Sequence, residues 1–344
     1  MTFHHISFSD VYIFLMRTTQ PPTRKREACS HNVNNQTLCP LTPLKNIVLA
    51  LMFNNAHYSS IPLLKNFYAP VFAQLVFCSP EGDLRYDVIS TGGRQGWLGY
   101  NCLTLASKLY PHYDGYLYGN DDSVINWWNL YKHDVTKLWF HVNVHELVLH
   151  EVGKPTDAWY WWKKTDALNR FDESLRDIIQ VSNRDNRAGR IARHALHNYF
   201  HATEGRIGVR RNYSDVFYIP HGKIESFVFL SEIFVKNSLW LEIAVPTLLM
   251  FLDNGVNNKR GISPPMSDIS ILCGVYLPDL YNRRGRKYET GEAFYETYDF
   301  DMTFIHPFKF DRGMHDASKN FFMNIIQKYG DVRMEYCQHK LQHG

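Results

Sequence analysis

Apolar residues in the first half of this chain fall into short continuous runs, with stretches of helical spacing between them. Segment 46–53 is one such run and ends at Asn54-Asn55. A run of that length, apolar at successive positions, predicts a strand buried on both faces of a parallel sheet. Segment 60–68 places Ile61, Leu64 and Tyr68 on one side, with Pro62 in the first turn, and predicts a helix. A second strand is expected over 74–78, closed by Ser79-Pro80-Glu81-Gly82, and a third over 87–90, ending at Gly92-Gly93. Leu98, Cys102, Leu105 and Leu109 have helical spacing. A fourth strand, 115–118, then leads into Asn120-Asp121-Asp122. This order predicts the α/β class, built around a mostly parallel sheet.

The second half differs in texture. Asp157-Ala158-Trp159-Tyr160-Trp161-Trp162 is a dense aromatic cluster, followed by a helical stretch from 165 to about 181. Segment 184–199 is basic and helix-like, 213–220 reads as a strand, and 224–235 as an amphipathic helix. Segment 239–252 is apolar throughout except for Glu242, and 302–309 is a late short strand. The division that follows is a leader over 1–45, two halves over 46–155 and 156–325, and a tail over 326–344.

Composition narrows the classes. Apolar residues are 45% and aromatics 15% of the 344 residues, ample for a buried core. Net charge is only +3, and the one short basic run, Arg283-Arg284-Gly285-Arg286-Lys287, reads as a solvated loop, so no nucleic-acid partner is expected. No G-x-G-x-x-G and no P-loop motif occurs. Six cysteines without a C-x-x-C pair exclude a zinc ribbon and leave disulfide pairing open. Asn35-Gln36-Thr37 and Asn212-Tyr213-Ser214 are glycosylation acceptors if the chain is secreted. Val11 to Met16 is apolar but too short to span a bilayer; it reads as the end of a truncated signal anchor, although Asp10 and His4-His5 do not suit a standard signal peptide.

Ligands of open α/β sheets bind outside the carboxyl ends of the strands. Asn54, Ser79 to Glu81, Thr91 to Gly93 and Asn120 to Asp122 would all lie on that edge. Adjacent carboxylates there have two readings. One is an ordinary Asp-rich turn; the other is a site for Mg²⁺ or Mn²⁺, whose hard character suits oxygen ligands. His306, with Lys309 close behind, reads as a third metal ligand with a phosphate-neutralising cation, or as a histidine bonded at a strand end. Glu242 must be hydrogen-bonded or face a cavity, since an isolated buried charge is expensive. It reads as a general base or as a structural carboxylate, with Asp253 and Asp215 as competitors for the base role. The Trp cluster divides between core packing and the lining of a cleft.

This order of parts resembles a glycosyltransferase of the A-type fold over residues 46–309. The segment DGYLYGNDDSVIN is similar in layout to the metal motif of fringe-like and exostosin-like members, and the chain also resembles a glycosyltransferase-like family expanded in invertebrates. The resemblance implies a Rossmann-like nucleotide-sugar half, an acceptor-binding half and a late histidine completing the metal site. Carried over, the metal residues are Asp122, Asp121 and His306: Asp122 holds Mn²⁺ or Mg²⁺ directly, Asp121 contacts the ribose or a metal-bound water, and His306 is the third ligand. Asn54, Asn120, Asp121 and Lys309 belong to the donor site. Asn120 departs from the pattern, because many members have a carboxylate there. The implied donor is a nucleotide sugar, with UDP favoured, and the acceptor a glycan or glycoprotein hydroxyl in the Golgi or ER lumen. Glu242 or Asp253 would act as base, with inversion favoured over retention. The alternatives are a catalytically inactive binding protein, which the Asn120 departure motivates, and a metal-dependent phosphoester hydrolase.

Overall fold

The computed structural model describes residues 43–93, 96–154, 156–253, 269–276 and 302–307. The leader, the basic run at 283–287, Lys309 and the tail lie outside the described residues. Twelve strands are described: β1 (Ile47–Met52), β2 (Gln74–Ser79), β3 (Val88–Ser90), β4 (Gly115–Asn120), β5 (Val124–Ile125), β6 (Leu138–Phe140), β7 (His150–Glu151), β8 (Gly208–Val209), β9 (Val216–Pro220), β10 (Ile269–Ile271), β11 (Gly274–Tyr276) and β12 (Phe304–His306). Seven α-helices accompany them: α1 (Ile61–Tyr68), α2 (Tyr100–Leu109), α3 (Trp161–Thr165), α4 (Ala167–Ser182), α5 (Arg187–Ala202), α6 (His221–Lys236) and α7 (Leu241–Leu252).

The central sheet has seven strands in the order β10-β6-β9-β4-β1-β2-β3. β1 pairs in parallel with β2 and β4, β2 with β3, and β6 with β10, while β9 runs antiparallel to both β4 and β6. The sheet is therefore mostly parallel, as the apolar runs predict, and Rossmann-like, as the resemblance implies. It takes β9 and β10 from the second half of the chain, so both halves build one sheet.

Alternation along β1 explains the layering, because successive side chains point to opposite faces. Val48, Ala50 and Met52 join the core beneath α2 and α4 to α7, while Ile47, Leu49 and Leu51 join the core beneath α1. Both faces are covered, which is why the strands are apolar throughout. Among the described residues no helix is long and apolar enough to cross a membrane.

Two ties matter for the ligand edge. Cys78, at the end of β2, forms a disulfide with Cys102 in α2, and both residues are buried. A second sheet, β11-β12-β5, pairs Phe304 with Ile125 and Ile305 with Val124. Asn126 Nδ2 and Asn129 Nδ2 both donate to the Met302 carbonyl, at 2.9 and 2.7 Å, and fix the approach of that late strand.

Candidate functional site

The strands of the parallel set all present their carboxyl ends to one edge. Because β9 runs the other way, its amino end, preceded by Asp215, comes to that same edge. β4 runs past the expected 115–118 and takes in Asn120 as its last residue. Asp121 and Asp122 then form the tight connection to β5. The Asp121 N–H donates to the Met52 carbonyl at 2.9 Å, which anchors the acidic pair to the end of β1.

Three side chains meet there. His306 Nε2 lies 3.1 Å from Asp122 Oδ1 and 3.3 Å from Asp215 Oδ1. The β5–β12 pairing is responsible: with Ile305 opposite Val124, His306 falls opposite Ser123, beside Asp122. Asp122 and Asp215 are both buried, so this is a desolvated acidic centre with an imidazole between the carboxylates. Asn120 adjoins it, its Oδ1 accepting from Tyr118 Oη at 2.7 Å and its Nδ2 donating to Asp215 Oδ1.

Glu242 belongs to the same neighbourhood. It is the acidic residue in the first turn of α7, where the positive end of the helix dipole favours a carboxylate. Burial nevertheless pushes its pKa up to about 8, helped by repulsion from Asp215 and opposed by the positive charges of His306 and Arg211. The Glu242 carbonyl accepts from the Asn212 N–H at 3.0 Å, tying α7 to the segment that leads into β9.

An aromatic wall stands beside Glu242. Trp240, the N-cap of α7, has Trp159 at 5.0 Å and Trp161 at 4.9 Å between ring centroids. The Arg211 guanidinium lies over Trp159 at 4.7 Å and the Lys164 ammonium over Trp161 at 4.4 Å, so cations cap both ends of the stack. Arg211 also pairs with Asp157 at 2.8 Å. Tyr160, next to these rings, is 68% exposed. The Leu241 N–H donates to the Trp97 carbonyl at 2.8 Å, joining the wall to the loop after β3.

The remaining predicted residues are placed elsewhere or at the margin. Asn54 follows β1 on that edge, and a Cβ on Gly96 would fall 1.7 Å from Asn54 Oδ1 and displace that amide, at a positive φ (+71°) that itself favours glycine. Asp253 ends α7 at the far side from Glu242, about 16 Å along a helix of 1.5 Å rise per residue. There its Oδ2 meets His145 Nε2 at 2.8 Å. Geometry thus separates the two carboxylates considered for the base role. The Asn212 sequon is used internally: Asn212 is partly buried, its Oδ1 accepts from the Tyr213 N–H at 2.8 Å, and its side chain bonds His141. Trp127 and Trp128 are buried packing residues.

Sequence reasoning gave Asp215 only a secondary role and did not single out Arg211 or Trp240. The available signal for Asp215 was an acidic residue directly before the apolar strand 216–220, since such a residue must sit at a sheet edge. Among the described residues, no three His, Cys, Asp or Glu side chains already enclose a position for an ion. A groove of about 750 Å³ lies at the β3 edge, lined by Lys65, Phe77, Leu84, Ile89 and Leu109 among others. Glu81 of the expected ligand edge lines it, but none of Asn54, Asn120, Asp121, Asp122, Glu242, Asp253 and His306 does.

Comparison with known proteins follows the same direction. No family model and no solved structure matches the chain. Two curated proteins of Arabidopsis thaliana do. "Probable glycosyltransferase STELLO2" is 26% identical over 163 residues, covering 46% of this chain and 19% of the relative. "Probable glycosyltransferase STELLO1" is 21% identical over 233 residues, covering 67% of this chain and 25% of the relative. The chain thus spans about a quarter or less of the length of these relatives. With its Rossmann-like sheet and an acidic ligand edge, it is similar to proteins of a glycosyltransferase-like kind.

Proposed function

We propose that this chain is a metal-dependent glycosyltransferase that moves a sugar from a nucleoside diphosphate, UDP first, to a hydroxyl of a glycan or glycoprotein. The observation that carries this reading is the convergence of Asp122, His306 and Glu242 on one edge of the sheet. The two relatives, both probable glycosyltransferases by name, support it.

Carboxylate oxygens with one imidazole form a donor set that suits Mn²⁺ or Mg²⁺. His306 Nε2, 3.1 and 3.3 Å from the Asp122 and Asp215 carboxylates, sets these donor groups side by side. Asp122 and His306 would hold the ion, and Asp121 would meet the ribose or a metal-bound water. Bound there, the ion would supply Lewis-acid stabilisation of the charge that develops on the departing diphosphate. Asn54, at the end of β1, lies on the donor side.

Glu242 is the general base in this reading. It accepts the proton of the acceptor hydroxyl as the acceptor oxygen bonds to the anomeric carbon and the bond from that carbon to the phosphate oxygen breaks. Its raised pKa makes it a stronger base than a solvated carboxylate. The aromatic wall beside it suits the apolar face of a sugar ring. A Golgi or ER lumen fits the buried Cys78–Cys102 disulfide, because such bonds persist in oxidising compartments.

The test is a donor screen that measures hydrolysis and transfer for several nucleotide sugars with and without Mn²⁺. Asp122→Ala should abolish activity with every donor. Full activity in that variant, or no metal-dependent binding of UDP by the native chain in calorimetry, would overturn the reading.

A further inference from the structure

We infer that Asp215 supplies the carboxylate that the acidic triplet lacks, and that Asn120 is the positioning residue that holds it in place. This rests on the metal-dependent reading above, and goes beyond it by adding one ligand from a different strand.

The backbone establishes the relationship first. Gly119 pairs with Val216 in the antiparallel β4–β9 ladder, so Asn120 falls opposite Asp215. The Asn120 N–H donates to the Asp215 carbonyl at 3.0 Å. The side chains then repeat the pairing, with Asn120 Nδ2 donating to Asp215 Oδ1.

The direction of that amide is not arbitrary. Tyr118 Oη donates to Asn120 Oδ1 at 2.7 Å, and a phenol hydroxyl has one proton to give. The amide oxygen must therefore face Tyr118, which turns the NH₂ group toward Asp215. A carboxylate at position 120 could satisfy Tyr118 but would set like charge against Asp215. Asparagine is the residue that fits between a hydroxyl donor and a carboxylate.

Held this way, Asp215 Oδ1 reaches His306 Nε2 at 3.3 Å, and the same nitrogen is 3.1 Å from Asp122 Oδ1. The three donors come from three elements separated widely in sequence: the turn after β4, the start of β9 and the end of β12. The charge missing at position 120 is thus present in space, delivered by the neighbouring strand. That removes the main motive for regarding the chain as catalytically retired, and it assigns Asp215 to the ion rather than to the acceptor proton.

The experiment measures Mn²⁺ uptake by the full chain from the loss of the free-ion electron paramagnetic resonance signal, with Mn²⁺ alone and with UDP present. Melting curves run alongside to confirm folding. Asp215→Asn and Asn120→Asp are close to isosteric, and Asn120→Ala removes the positioning contact. We expect Asp215→Asn and Asn120→Ala each to weaken Mn²⁺ binding about 10- to 100-fold, the scale of losing a ligand's support. Asn120→Asp, which restores a full acidic triplet in sequence, should also weaken it. If Asp215→Asn takes up Mn²⁺ as the native chain does, or if Asn120→Asp binds it more tightly, the inference is overturned while the metal reading stands. If the native chain takes up no Mn²⁺ with or without UDP, the metal reading itself fails and the inference with it.

Discussion

Trp159 stacks on Trp240 with ring centroids 5.0 Å apart and planes 29° from parallel. Trp240 is the N-cap of α7, two residues before Glu242, so this contact fixes the end of the helix that carries the proposed base. Truncating a buried Trp costs about 3–5 kcal/mol. Trp240→Ala should therefore lower the melting temperature markedly and reduce transfer to acceptor more than donor binding. Calorimetric UDP affinity equal to the native value, with transfer depressed, is the expected pattern; unchanged transfer would remove the positioning role.

Glu242 gives a pH signature. Its unfolded carboxyl titrates near 4.5 and its folded one at about 8, with Asp215, His306 and Arg211 facing it. Between those values the folded state binds the extra proton, so the contribution of this group to stability falls as pH rises, by at most ~1.4 kcal/mol per pH unit. Glu242→Gln should flatten that fall and melt higher than the native chain at alkaline pH. As a base, Glu242 must be ionised, so transfer should rise toward pH 8, and the variant should lose transfer while retaining UDP.

His133 and His141 predict the opposite limb. Burial pushes both imidazoles down to about 4; Lys132 adds to this at His133, and the Asn212 bond opposes it at His141. Their neutral forms stabilise the fold fully above about 6.5, and that contribution is lost as pH falls from there toward 4. Two histidines against one Glu242 leave a net loss, so melting temperatures should drop as pH falls from about 6 to 4, and His133→Phe should make the drop shallower. A native melting temperature that holds constant over that range would contradict the burial of both rings.

Asp253 separates structure from chemistry. Asp253→Asn weakens the pair with His145 and should destabilise the fold by about 1–3 kcal/mol. Since it lies at the far end of α7, UDP and Mn²⁺ binding should match the native chain once folding is confirmed by circular dichroism. A selective loss of transfer in this variant would return Asp253 to the base role.

Gly115 tests the packing under β4. A Cβ there would lie 2.0 Å from Tyr218 Oη, and the Tyr218 ring is itself stacked on Trp139 at 4.0 Å. Overpacking of this kind costs about 1–3 kcal/mol. Gly115→Ala should lower the denaturant midpoint accordingly, without altering nucleotide binding.

The sequence made some of this architecture plain and hid the rest for physical reasons. β1, β2, β4 and α7 are long apolar segments, and their runs are visible without any partner. β6 is three residues, Leu138 to Phe140, too short for periodicity to register. The reversed direction of β9 leaves no mark in its own residues, because an apolar strand buried on both faces reads the same either way. Asp215 was legible as an acid at a sheet edge, but its meeting with Asn120 spans 95 positions and depends on that reversed direction. His306 was legible as a histidine at the end of a late strand, but its approach to Asp122 rests on a two-residue strand, β5, too short for periodicity to register.

The Cys78–Cys102 bridge carries a practical consequence for anyone producing this protein. It closes a span of 24 residues and ties β2 to the helix that follows the Trp97 loop, a constraint worth about 3 kcal/mol in chain entropy. A bacterial cytosol would leave two buried thiols there instead. Material from such a host should melt lower and present a looser loop beside Glu242, so an inactive batch reports on how it was made. Periplasmic or eukaryotic secretory expression is the proper starting point for every assay above.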